Sequence, residues 1–334
     1  MVIIHRILRI LPAYMLVLLF YTTLSPYLIN TSPNRFLVGL QTDAVDVANC
    51  RKNWWSNLLF INNFVPDNSD HTNLMSCMAW SWYLAVDMQL FVLTPFVVLP
   101  FTFTTASYNK LGWVLAILLL IASSIANFVQ SLDNNFDAGA ATSNPLYFSA
   151  NYVKPWMRCQ PYIVGILTSV LYVQHKEQIT RIFTPKVVLF SYLLVLMVPF
   201  FITFGANGEI AGAWGFASAM TAVSSAFYLA LSRLGWGLAL GIITLLCISP
   251  FGGVMNGFLS SVLWLPMARM SFCAYLVHPI VLNTYYGNLS ENRYDYNTIL
   301  YSFGGALFWT YIAAFVATLF LEMPFAQLEK LLLP

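Results

Sequence analysis

Nine apolar runs, each about as long as a bilayer-crossing helix, follow one another along the chain with polar intervals between them. At about 17–25 residues per span they fall near 6–28, 80–102, 112–131, 157–174, 187–205, 213–231, 234–250, 271–288 and 298–321. The longest polar interval is 29–79, where Asn, Asp, Pro and Trp are mixed. The first run is too long for a signal-peptide core and lacks a small-residue cleavage site, so it reads as a true span. No internal repeat or low-complexity tract divides the pattern. It predicts an all-α, polytopic transmembrane helix bundle of about nine or ten spans, one domain over 1–334 with an external loop at 29–79.

Composition agrees. Hydrophobic residues make up 59% of the chain and charged residues 8%, against about 25% charged in soluble domains. A net charge of +2 is too small to suggest nucleic acid. Charge sets the expected orientation: Arg6 and Arg9 precede the first span, Lys110 follows the second, and Lys176, Arg181 and Lys186 fill the interval after the fourth. Placing these inside makes the N-terminus cytosolic and puts 29–79 and 132–156 outside. Both sequons, at Asn30 and Asn288, then fall outside as glycosylation candidates. Cys50 and Cys77 share that oxidising side and are expected to pair. No CxxC pair suggests a metal.

Parity is the one conflict. Nine spans that begin inside end outside, yet Arg233, Arg269 and Lys330 all read as cytosolic. A short tenth span after the breaker Pro250–Gly253 restores the count.

Chemistry concentrates in three stretches. In HRILRILPAY, Arg6 and Arg9 are three apart and share a helical face, with His5 beside them. They serve either as a positive-inside anchor or as paired guanidinium forks that grip a phosphate. In AWSWYLAVDMQLFVLTPF, Asp87 lies about 10 Å into an apolar span. A carboxyl at that depth is a partner for an arginine, a proton-handling group or a polar clamp between helices. Gln89 faces another way and reads as a structural polar residue. In MSFCAYLVHPIVLNTYY, Pro279 removes a backbone donor and opens the turn at His278. His278 is then either a proton carrier near neutral pH or a histidine bonded between helices. CRKNWWSNLLFINNF reads as an external amphipathic segment or a roof packed on the bundle, and Glu322 as a helix-end charge before Pro324.

HRILRILPAY, CRKNWWSNLLFINNF, WSWYLAVDMQLF, FCAYLVHP and the closing EMPFAQLEKLL occur in one order from residue 5 to the C-terminus. Together they resemble the membrane acyltransferase type 3 family, and within it the animal branch of nose resistant to fluoxetine proteins. The resemblance implies ten or more spans and transfer of an acyl group from a cytosolic donor, commonly acyl-CoA, to an acceptor hydroxyl at the lipid bilayer. No bound cofactor is implied, since acyl-CoA enters as substrate. Arg6 and Arg9 match the family's paired arginines for the donor phosphates, with His5 adjoining. Asp87 and Gln89 match a Trp, Glu and Gln block, with Asp in place of Glu. His278 matches the late YL-x-H-P block. The family's own proposed catalytic histidine precedes the paired arginines by a span, so this chain is expected to be the C-terminal portion, leaving His278 and Asp87 as its candidate catalytic residues. Lipid or drug handling without acyl transfer, and an inactive fragment, are the alternatives.

Overall fold

The computed structural model describes residues 2–28, 43–65, 77–103, 106–138, 144, 146–206, 220–288 and 295–332, and all regular structure among them is helical. The long helices are α1 (Val2–Thr23), α3 (Trp82–Thr102), α4 (Ala106–Asp133), α5 (Pro155–Ile182), α6 (Pro185–Phe204), α7 (Ala222–Ile248), α9 (Trp264–Gly287) and α10 (Tyr296–Ala317). Between them lie α2 (Asp43–Leu58), the seven-residue α8 (Gly253–Leu259) and the closing α11 (Met323–Leu332). A 3₁₀ turn, Ala79–Ser81, leads into α3, and a π-helical turn, Thr318–Glu322, joins α10 to α11.

Seven helical stretches among the described residues are long and apolar enough to cross a bilayer: α1, α3 with its leading turn, α4, α6, α7, α9, and α10 running on into α11. Helix α5 has the length, at 28 residues, but carries Arg158, Lys176, Glu177 and Arg181. His175 leaves helical geometry at φ −130° and kinks it, at the end of the run expected over 157–174. The protein is a multi-pass membrane protein. Large apolar side chains on its outer faces are exposed, Phe96 at 68%, Phe190 at 62% and Phe320 at 72%, as lipid-facing positions require.

The span count differs from the sequence reading at two places, at α5, which is not among the seven, and at α7. The runs 213–231 and 234–250 form a single helix from Ala222 onward, α7, and the interval expected to hold a tenth span holds the short α8. Arg233 looked like a boundary charge, but it lies in mid-helix with its guanidinium bonded inside the bundle. Gly237 and Gly241 keep α7 close to α5: a Cβ on Gly237 would lie 2.9 Å from Pro161 Cα, and one on Gly241 2.7 Å from Thr168 Oγ1. Small residues at this four-residue spacing let membrane helices approach to backbone distance.

Two compact units make up the chain, Met1–Ala85 with Ser261–Pro334, and Val86–Ser260. In the first, α9 pairs with α10, and α1 packs on α2, α9, α11 and the π turn. His5 near the start of α1 reaches Glu329 in α11, so the two ends of the described chain lie at the same end of this unit. In the second, α7 is the hub that α4, α5 and α6 pack around.

Residues 43–65 of the polar interval after α1 pack back on α1 as a roof. Cys50 of α2 and Cys77 form the expected disulfide, with Cα atoms 4.4 Å apart, well inside the bridging limit of about 7 Å. Trp54 and Trp55 stay exposed on the roof, at 49% and 40%. Asn30 lies outside the described residues. Asn288 caps α9 and is exposed, its side-chain amide donating to the carbonyls of Leu28 (2.8 Å) and Thr284 (2.7 Å). The bridge closes 27 residues, so Cys50→Ser is expected to cost about 3–4 kcal/mol. A lower Tm for the detergent-solubilised variant, matched by treating the native protein with reductant, checks this.

Candidate functional site

Arg6 and Arg9 stand one turn apart near the start of α1. Arg9 is exposed and Arg6 half-buried, with interactions of its own. His5 Nδ1 donates to Glu329 Oε1 at 2.9 Å, which latches α1 to α11. Both partners are partly solvated, so the latch is worth under about 1 kcal/mol and acts to position rather than to hold. The cationic patch is thus carried on a helix start fixed by the C-terminal helix.

On α9, Pro279 lacks the N–H that would bond to the Tyr275 carbonyl four residues back. His278 supplies the missing donor, with Nδ1 2.8 Å from that oxygen. A carbonyl only accepts, so Nδ1 carries the proton and Nε2 keeps its lone pair in the neutral ring. The tautomer is the one a general base needs. The Tyr275 hydroxyl in turn donates to the Trp80 carbonyl, tying α9 to the 3₁₀ turn before α3.

Beneath the roof, Asn57 lies fully buried and its amide meets three oxygens: Tyr14 hydroxyl at 2.7 Å, Cys77 carbonyl at 3.0 Å and Ser81 Oγ at 3.2 Å. Asn62 donates to the same Ser81 oxygen at 2.8 Å, and Ser81 donates onward to the Met78 carbonyl at 2.7 Å. Tyr14 stacks on Phe60, with ring centres 6.1 Å apart, and Tyr21 meets the Trp80 ring edge-on at 5.2 Å. Tyr14 is five residues beyond Arg9, so the polar roof reaches down to about 8 Å along the axis from the arginine level. A groove of about 760 Å³ also runs between α1, α9 and α10 in this unit, lined almost entirely by apolar side chains.

Asp87 and Gln89 belong to the second unit, where α3 carries both half-buried and partnered. That unit has its own polar centre. Arg233 Nη1 donates to Asn127 Oδ1 (2.7 Å) and the Met157 carbonyl (2.8 Å), and Nη2 to Asn151 Oδ1 (3.0 Å) and the Tyr147 hydroxyl (3.3 Å). Four neutral oxygens from α4, α5 and the turn before α5 hold one cation. Gln160, fully buried, adds bonds to Ser124 Oγ (2.9 Å) and the Ala230 carbonyl (3.0 Å).

The sequence family described as an acyltransferase domain, type 3, matches residues 1–326. This chain belongs to that family. Nose resistant to fluoxetine protein 6 of Caenorhabditis elegans is 27% identical over 349 residues, covering 98% of this chain and 39% of that protein. No solved structure matches. The five sequence blocks therefore report a shared family, and the structure shows how the residues of several are arranged locally. The His5 and Arg9 ends of the first block divide between a latch and an exposed cation. His278 is arranged by its own helix, and Arg6, Arg9 and His278 share one unit while Asp87 and Gln89 sit in the other.

Sequence reasoning missed the surroundings of three residues in this family member. Arg233 was taken for a boundary charge, although the Gly237–Gly241 spacing beside it signalled a packed helix interior. Glu322, read as a helix-end charge, is half-buried at the end of the π turn, and its carboxylate accepts from Cys273 Sγ at 3.3 Å, a partner the sequence did not suggest. Asn57 gave no sequence signal, because one amide among several in a polar loop is indistinguishable by pattern.

Replacing Arg233 with Met keeps the helix apolar but removes a donor from four oxygens, of which Asn127 Oδ1 and the Met157 carbonyl keep a side-chain amide donor. Arg233→Met is expected to destabilise the protein by about 1–3 kcal/mol, the cost of buried acceptors left unmet, and Arg233→Lys by less. Thermal unfolding of the purified variants measures the order.

Proposed function

We propose that the protein moves an acyl group from a cytosolic thioester donor, acyl-CoA, to an acceptor hydroxyl. Membership of the type 3 acyltransferases supports the reaction class, and the observation that carries the donor is the Arg6 and Arg9 pair at the start of α1. Guanidinium forks at a membrane boundary hold phosphates bidentately, and the positive-inside bias supports reading that end of α1 as the cytosolic one. The chain spans 39% of the length of its nematode relative, so the transfer is proposed here for this portion on its own residues.

His278 is the base candidate in the first unit. Its Nε2 takes the proton from the acceptor hydroxyl, and the oxygen bonds to the thioester carbonyl carbon. The carbon–sulfur bond then breaks, and the thiolate leaves and recovers the proton. Asp87 is the second proton-handling candidate, on α3. The runner-up reading, lipid or drug handling without acyl transfer, draws on the apolar groove alone.

Two measurements separate these readings. Arg6→Ala with Arg9→Ala is expected to weaken acyl-CoA binding by about tenfold or more, from the loss of charge-assisted hydrogen bonds; unaltered binding would remove the donor assignment. For His278→Asn, turnover is expected to fall about 10²–10⁴-fold while donor affinity holds, since Asn can still bond the Tyr275 carbonyl but cannot accept the proton. Ligand uptake into vesicles that persists in the arginine double variant favours the handling reading instead.

A further inference from the structure

The groove between α1, α9 and α10 plays no part in the chemistry above, and its construction is specific. Leu16 and Phe20 of α1, Ile280 and Val281 of α9, and Ile312 and Val316 of α10 form its walls, all within the first unit. Polar atoms in the lining come from Thr284, Tyr285 and Trp309, and the Thr284 hydroxyl is already bonded to the Ile280 carbonyl at 2.8 Å. Its volume of about 760 Å³ falls within the range of small-molecule sites, about 300–1,000 Å³. A polar occupant would leave its own donors and acceptors unmet there.

The groove continues the cationic patch. Arg9 and Leu16 are seven residues apart, two helical turns, so they lie on one face of α1 with about 10 Å between them. His5 and Phe20 extend the same stripe at four-residue steps in either direction. On α9, Val277, Ile280, Val281 and Thr284 share the groove face, and at about 100° per residue His278 stands at its margin, next to Tyr285. One stripe therefore runs from guanidinium to hydrocarbon lining and passes the level of the candidate base.

We infer that this groove holds the hydrocarbon tail of a long-chain acyl thioester whose phosphates lie at Arg6 and Arg9, so the group carried is a long fatty acyl chain rather than acetyl. The inference rests on the donor reading above. Charge complementarity fixes the head at the arginines, and the wall chemistry fixes the tail. The separation between them selects the source. A glycerophospholipid places its acyl ester a glycerol carbon or two from phosphate, whereas the pantetheine arm of a thioester donor bridges two turns of helix. Each methylene moved from water into the groove strengthens binding about fourfold at most.

The test measures binding of free CoA and of non-hydrolysable acyl-CoA analogues with two-, eight- and sixteen-carbon chains to the purified protein in nanodiscs. Wild type, Ala313→Leu and Ala313→Trp are compared, since Ala313 lines the groove and larger side chains fill it progressively. The readout is the ratio of sixteen- to two-carbon affinity within each variant, so a general loss of binding cancels. Wild type is expected to favour the long chain by at least tenfold, with the ratio falling through Leu to Trp. Free CoA bound by all three with identical chain-length ratios would overturn the groove assignment alone, because the chain would then lie in the bilayer. Failure of wild type to bind CoA or any thioester would overturn the donor reading itself. Competition of the long-chain analogue by anionic phospholipid, with no effect on free CoA, would assign the groove to a bilayer lipid and overturn the inference.

Discussion

Inside a bilayer, apolar side chains gain nothing by leaving lipid for one another, so hydrophobicity does not tell these helices where to pack. Buried polar groups do. Each must find a partner inside the protein, because the hydrocarbon offers none. In the second unit that requirement converges on Arg233, whose four oxygen partners come from α4, α5 and the preceding turn. In the first it converges on Asn57, which joins α1, Cys77 and Ser81 through one amide. Close approach then completes the packing where glycine permits it, as on α7.

The same constraint prepares the candidate site. Pro279 breaks one backbone hydrogen bond, and in lipid the orphaned Tyr275 carbonyl has to be satisfied locally. His278 satisfies it and is left in the tautomer with a free Nε2. A structural debt in the helix thereby produces a proton acceptor with a fixed ring. The His5–Glu329 latch works similarly, fixing the helix that carries the arginines through contact with the last helix of the chain. Neither arrangement needs the side chain to choose between structure and chemistry.

Much of this was legible in the residues. Apolar runs marked the long helices, since twenty or so apolar residues have few other fates. The kink at His175 falls where the fourth run ends, and Cys50 pairs with Cys77 as expected of two cysteines in one polar interval. Arg233 was misread because a charge inside an apolar run has two physical explanations, a boundary or a bonded interior. Periodicity cannot separate them. The partner of Glu322 was missed because a π turn departs from the regular helical wheel and brings in a cysteine 49 residues away in sequence.

By itself the sequence determined the class of molecule, the positions of its long helices, the arginine pair, the histidine beside proline and the family they imply. Those properties follow from composition and local backbone chemistry. The tertiary structure alone decided that α7 is one helix, that both described ends meet at one end of the first unit, and that an apolar groove lies between α1, α9 and α10. Each of these depends on which distant groups satisfy a buried polar atom or leave space beside it. Such choices are made between helices far apart in the chain, and no local pattern records them.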